Sequence, residues 1–274
     1  MVKATLLRHI DELPRLPKAV SELLETVNQE DVSVAKLSVK LGQEPLIAMQ
    51  VLRLANSAHY RRSREVSSIE EAVIRLGIKT VKTLVIASAI IGALPRVDSI
   101  DLERFWGNTF EVAITAQELA RHCSSASDIA FTCGIIHDIG DLLIALLEPS
   151  AASIIHAAVE AGADKGEVEQ AQLGFQSHEV AALLAQNWNF SSVLIAGVMY
   201  QRSPQSAEPF SSYAALICLA YWVIKHWHEV PEDQQTRTLF AKGVSLGIKL
   251  EVTGLVDKLN ELRGKGFELA ALLA

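Results

Sequence analysis

Apolar residues recur along this chain with the period of a helix. Val20, Leu23, Leu24 and Val27 fall at i, i+3, i+4 and i+7, the stripe that one face of an α-helix buries. Pro17 suits the start of that helix, where a missing N–H costs nothing. A second helix is predicted over 34–41, and a third from Glu44-Pro45 to about Ala55, stopped by Asn56-Ser57. Ser68 and Glu71 stand as a capping box, opening a helix that ends at Gly77. Another runs from Lys79 to about Ala93, and Pro95 breaks it. Residues 94–101 read as a joint. Beyond it lies a long helix with Leu102, Phe105, Thr109, Val112, Ala116 and Leu119 on one face. Further helices are expected near 129–137, 141–147, 150–161, 166–173, 178–188, 191–200, 209–227 and 251–262. No stretch alternates with period two between turn signals, and Val and Ile sit among helix-favouring Ala and Leu. The expected fold is all-α, with two packed helical subdomains, 1–94 and 95–274.

Composition narrows the class of protein. Half of the 274 residues are hydrophobic and 21% are charged, enough apolar surface to build a core. A net charge of −7 argues against a direct nucleic-acid partner, which calls for a basic face. Arg53, Arg61, Arg62 and Arg64 form one small basic cluster, read as a solvated loop or a phosphate contact. Cys123, Cys133 and Cys218 match no zinc or redox spacing and fit a reduced, cytoplasmic chain. The longest apolar stretch, Thr83 to Leu94, falls short of the roughly 20 residues a membrane span needs, and no secretory leader is indicated. A soluble protein without a membrane partner is expected.

The sharpest local chemistry is Phe131-Thr132-Cys133-Gly134-Ile135-Ile136-His137-Asp138-Ile139-Gly140-Asp141. An adjacent His-Asp pair can offer an imidazole nitrogen and a carboxylate oxygen to one metal, or simply satisfy a helix terminus. Neighbouring side chains project about 100° apart on a helix, so the two converge only where the helix stops. Gly140 is the expected break.

The run Ala130 to Leu143, AFTCGIIHDIGDLL, resembles the "LLHDIGK"-like segment of the HD superfamily. The N-terminal half adds Leu13-Pro14-Arg15-Leu16-Pro17, then Gln43-Glu44-Pro45-Leu46, Val51 to Ala58 (VLRLANSA) and Ser67 to Gly77 (SSIEEAVIRLG). In this order the segments resemble the HDOD domain, a bacterial signalling branch of the HD phosphohydrolases. The resemblance implies that the whole chain is one HDOD module, its C-terminal part an HD-like helical bundle.

It also implies a metal-ligand pattern that can be checked position by position. The first histidine of the pattern falls on Asn108, in Trp106-Gly107-Asn108-Thr109. His137, Asp138 and His178 keep ligating groups and are the candidates for a divalent transition metal. A later His-His pair is replaced by Gln201 and Arg202, and the final Asp by Tyr221. An amide is a poor transition-metal ligand, and an arginine repels a dication. The implied function is therefore a non-catalytic module that binds a signalling protein or a small ligand and needs no cofactor. Asn56, Arg61, Asn108 and Arg202 are its ligand-binding candidates, in a cleft between the two halves. Arg202 offers a fixed positive charge to an anionic group in place of a metal. The alternative is a metal-dependent phosphohydrolase acting on a nucleotide or cyclic dinucleotide through His137, Asp138 and His178.

Other titratable residues carry less. Glu25, Asp31, Asp98 and Asp101 read as helix-end or solvated carboxylates, and His156 as structural. The cluster His226-Trp227-His228-Glu229 fits a helix C-terminus, where the dipole favours cations. Asn56 reads as a helix cap or as a contact to a ligand or to the other subdomain. The apolar tail, Phe267 to Ala274, is expected to be buried.

Overall fold

Every regular element among the described residues of the computed structural model is a helix. Those residues are 14–16, 18–27, 32–57, 65–94 and 96–273; Leu13, Pro17, Asp31, Arg61, Arg62 and Arg64 lie outside them. The chain divides into two compact units, Arg96–Phe267 and, smaller, Pro14–Pro95 with Glu268–Ala274.

The smaller unit holds α1 (Lys18–Val27), α2 (Val34–Leu41), α3 (Pro45–Asn56), α4 (Ile69–Leu76) and α5 (Ile78–Ala93). Leu23, Leu37, Leu41, Val51, Ala55, Val73, Val81, Val85 and Ile90 form its core. Helix starts follow from side-chain chemistry. Ser33 accepts from the Lys36 amide, Pro45 takes the first turn of α3, and Ser68 accepts from the Glu71 amide. Gly77 separates α4 from α5 with φ +80°, a conformation that favours glycine. The last helix, α16 (Lys265–Leu273), buries Ala270 and Leu273, and the Gln50 amide nitrogen donates to the Leu273 carbonyl at 2.7 Å. That bond satisfies one of the carbonyls a helix leaves unpaired at its end. The tail expected to be buried is thus anchored at successive turns, while Phe267 stays 42% exposed.

The larger unit is built on the 20-residue α6 (Leu102–Arg121), which packs against α7 (Ser127–Ile136) and α13 (Ser212–His226). Asp101 starts α6 by accepting from the Arg104 amide. Between α7 and α13 come α8 (Ile139–Leu147), α9 (Pro149–Glu160), α10 (Lys165–Leu173), α11 (Ser177–Asn187) and α12 (Ser192–Met199). Phe110, Leu119, Ile135, Ile136, Ile139, Leu142 and Leu143 are fully buried. The run Ser127–Leu147 is long and apolar enough to cross a membrane, yet 78% of its most apolar window is buried inside the unit.

Close helix approaches depend on glycine here. A Cβ on Gly134 would lie 2.4 Å from the Ala113 Cα, so α6 and α7 cross at backbone distance. Buried Glu111 accepts from the Gly266 amide at 2.9 Å, placing a carboxylate at the positive end of α16.

Two sequence expectations change. α14 (Gln235–Ser245), which precedes α15 (Leu255–Leu262), lies where no helix is predicted, because the sequence of α14, QTRTLFAKGVS, carries too thin an apolar stripe. Only Gln235, Leu239 and Gly243 are buried on it. The interruption in the His-Asp segment falls at His137 and Asp138 themselves, and Gly140 is helical. Gly140 has another reason to be glycine: a Cβ there would stand 1.8 Å from the Ser177 carbonyl oxygen.

Candidate functional site

The α7–α8 corner decides where the His-Asp pair points. His137 caps α7 in helical conformation, and Asp138 turns the chain before α8 begins. The His137 ring is 2% exposed. Its Nδ1 lies 2.6 Å from the Gly134 carbonyl oxygen, which the ending helix leaves unpaired, and donates to it. Its Nε2 faces Asp138 Oδ2 at 3.3 Å without the alignment of a hydrogen bond, and so is a buried nitrogen with no hydrogen-bond partner. Burial opposes a charged ring, but the Asp138 carboxylate and the Gly134 carbonyl outweigh it, so the imidazole pKa is raised.

Asp138 is held between cations. Its other oxygen lies 3.8 Å from the ammonium of Lys165, the first residue of α10. The same ammonium forms a short ion pair with Asp141 and lies 3.8 Å from buried Glu169. Burial pushes the Asp138 carboxyl up, yet His137, Lys165 and Arg202 more than offset this and hold it far below the usual carboxylate range. Burial likewise disfavours the Lys165 charge, but the three carboxylates keep the ammonium protonated and raise its pKa. Glu169 is raised, by burial first, and then by Asp141.

His178 arrives on α11. The Ser177 amide donates to Glu169 Oε2 at 3.1 Å, and the Gln176 amide donates to Glu179 Oε2 at 2.7 Å. Two carboxylates thus secure the positive end of α11. Close contact of Gly140 with Ser177 brings the start of α8 against the start of α11. His178 Nδ1 is buried and has no hydrogen-bond partner. Burial, then the charges of Arg202 and Lys165, lower its pKa to about 4, so the ring is neutral at pH 7.

The positions where the HD pattern departs are occupied in definite ways. Gln201 is buried, and its amide nitrogen donates to the His137 carbonyl at 2.9 Å. The Tyr221 ring centre lies 6.5 Å from that of His137, edge to face. Arg202 is exposed and lines a groove of roughly 610 Å³ with Asp164, Gly166, Glu167, Gln170, Ala171, Gln176 and Ser203. A Cβ on Gly166 would lie 3.1 Å from Arg202 Nη1, so the glycine makes room for the guanidinium over the first turn of α10. Asn108 is exposed on α6.

Of the sequence candidates, His137, Asp138, His178, Arg202 and Asn108 belong to the larger unit, and the first four share one electrostatic neighbourhood. Asn56 belongs to the smaller unit. It ends α3, and its amide clamps Val66, accepting from the Val66 amide and donating to the Val66 carbonyl, both at 2.8 Å. Arg61 lies outside the described residues. Lys165, Asp141 and Glu169 were not singled out from sequence. One signal for them exists, since the "HDIGK" pattern ends here in Asp141, an acid where a lysine is expected.

A catalytic transition metal needs about three protein ligands at roughly 2.0–2.3 Å. Among the described residues no group of three or more His, Cys, Asp or Glu side chains is arranged to hold an ion. Asp138 is already engaged by an imidazole and an ammonium. The residues present do not fit a dication.

The chain belongs to the HDOD domain family, whose pattern matches residues 13–204. It is similar to a crystal structure of a candidate phosphohydrolase from Shewanella amazonensis SB2B, with 47% identity and TM-score 0.89, over 99% of this chain and 98% of that one. An HDOD domain protein of unknown function from Geobacter sulfurreducens shares the fold at 21% identity and TM-score 0.73, over 97% of each chain. A candidate signal transduction protein from Marinobacter aquaeolei VT8 does so at 23% and 0.80, over 96% of this chain and 60% of that one. An uncharacterised protein from Treponema pallidum (strain Nichols) is 23% identical over 87% of this chain. The chain spans 47% of that relative's length.

Proposed function

We propose that this chain is a non-catalytic signal-transduction module, bacterial and cytoplasmic, that binds a partner protein or a small ligand on the Arg202 face of its larger unit. The observation that carries this reading is the bond from Gln201 to the His137 carbonyl. The residue standing where the HD pattern has a metal-binding histidine is committed to holding the His-Asp corner in place. Arg202 and Tyr221, at two further ligand positions, add a fixed cation and a neutral ring.

The 47% identical Shewanella protein, named for phosphohydrolase activity, favours the alternative of a metal-dependent hydrolase. Elemental analysis of the purified protein, paired with a screen of nucleotides and cyclic dinucleotides in Mn2+ and Fe2+, separates the two. The proposal expects neither stoichiometric metal nor turnover. A metal that copurifies and disappears in His137→Ala, together with hydrolysis, would overturn it.

A further inference from the structure

We infer that the groove beside Arg202 is a site for a zwitterionic α-amino acid, which sets its carboxylate on the Arg202 guanidinium and its ammonium against Asp164 and Glu167. This rests on the reading of the Arg202 face as the binding surface, and it names the class of ligand that face takes.

The turn that carries Arg202 is held on both sides. The Gln201 side chain is bonded to the His137 carbonyl, and the Ser203 amide donates to the Tyr200 carbonyl at 3.0 Å. The guanidinium itself forms no hydrogen bond and no ion pair among the described residues. It is nonetheless placed. Gly166 is buried beside it, and a Cβ there would lie 3.1 Å from Arg202 Nη1, 3.1 Å from Gln176 Oε1 and 3.3 Å from Asp164 Oδ1. Polar heads from three separate segments therefore converge over one glycine. Arg202 Nη1 and Asp164 Oδ1 stand no further apart than the sum of their distances to that point, 6.4 Å, yet they do not pair. Glu167 brings a second carboxylate to the groove, on the turn that Asp164 caps by accepting from the Glu167 amide at 3.0 Å.

This arrangement of charge selects the ligand. A pure anion that reaches Arg202 also meets two carboxylates, and a pure cation that reaches those acids meets the guanidinium. Like charges brought together in this way are penalised. An α-amino acid carries both signs on one carbon, close enough to touch both heads at once through hydrogen bonds of ~2.7–2.9 Å. The open guanidinium fork matches a carboxylate bidentately, and an ammonium offers its three donors to the acids. The groove, roughly 610 Å³, leaves room beyond the two charges for the side chain of the amino acid, over Gln170 and Ala171.

Calorimetry on the full chain tests this with the proteinogenic L-α-amino acids and with inorganic phosphate as the pure-anion probe. Any amino acid that binds is then offered as its N-acetyl form, which lacks the ammonium, and as its methyl ester, which lacks the carboxylate. The variants are Arg202→Gln and Asp164→Asn; asparagine keeps the helix cap while removing its charge. Both positions are exposed, so both variants should melt with the wild type. The expected result is one amino acid bound per chain, weakened at least ~10-fold by either modification and by either variant. Absence of amino-acid binding overturns this inference, and phosphate bound by wild type but not by Arg202→Gln would then keep the Arg202 face as the binding surface. An amino acid that binds equally well when N-acetylated, or equally well to Asp164→Asn, overturns the inference too. Undiminished binding to Arg202→Gln overturns both readings.

Discussion

The side-chain amide of Gln201 donates to the main-chain carbonyl of His137 across 2.9 Å, joining the turn after α12 to the corner between α7 and α8. Both groups are buried, so neither has water as a substitute partner. Gln201→Ala therefore leaves a buried carbonyl unsatisfied. The expected loss is ~1–3 kcal/mol of folding stability. Urea denaturation of the two proteins checks this, and a change below ~0.5 kcal/mol would show that the bond does not hold the corner.

Gly140 and Gly92 make a matched pair of helical glycines. At Gly140 a methyl would meet the Ser177 carbonyl oxygen at 1.8 Å, whereas at Gly92 nothing lies within 4 Å. Gly140→Ala must push α8 from α11, and overpacking of this kind costs ~1–3 kcal/mol or more. Gly92→Ala should gain ~0.5–1 kcal/mol from helix propensity alone. Melting temperatures that move in the same direction for both would contradict these contacts.

His178 gives the protein an acid-sensitive term. Its pKa is about 4 in the fold against 6.5 for an ordinary histidine, because burial and the Arg202 and Lys165 charges disfavour the imidazolium. Between those values the unfolded chain holds the extra proton, so stability falls as pH drops from about 6.5 towards 4 and this contribution levels off below. Allowing for partial exposure, the loss amounts to ~1–3 kcal/mol. Wild type minus His178→Gln, in unfolding free energy across pH 4 to 7, isolates it. A difference independent of pH would show that the ring titrates normally.

Thiol reactivity should follow burial. Cys133 is fully buried, and desolvation lifts its pKa to about 12, so the reactive thiolate is scarce at neutral pH. Half-buried Cys218 is also raised, by burial. Alkylation of the native protein should label Cys123 and Cys218 and spare Cys133 until the protein unfolds. Mass spectrometry of timed digests reads the order, and early labelling of Cys133 would mean that α7 opens readily.

Much of this protein is determined locally, and that part is legible in the residues. The caps at Ser68 and Asp101, the prolines opening α3 and α9, and the apolar stripes of α1 and α6 act over one or two turns, so sequence alone determined an all-α chain and its family. The His-Asp pair and His178 were legible for the same reason, as residues within recognisable runs. What surrounds them was not. Lys165 lies 24 residues from Asp141, and Gln201 lies 64 from His137. Nothing local records those encounters, because they depend on how α8, α10, α11 and α12 pack. Gly140 shows the difference most clearly. In sequence it reads as a helix break, but in the fold it is a helical residue kept small by a carbonyl from another helix. Tertiary packing alone decided that an ammonium stands beside Asp138, since a charge is placed by the helices that carry it rather than by its neighbours in the chain.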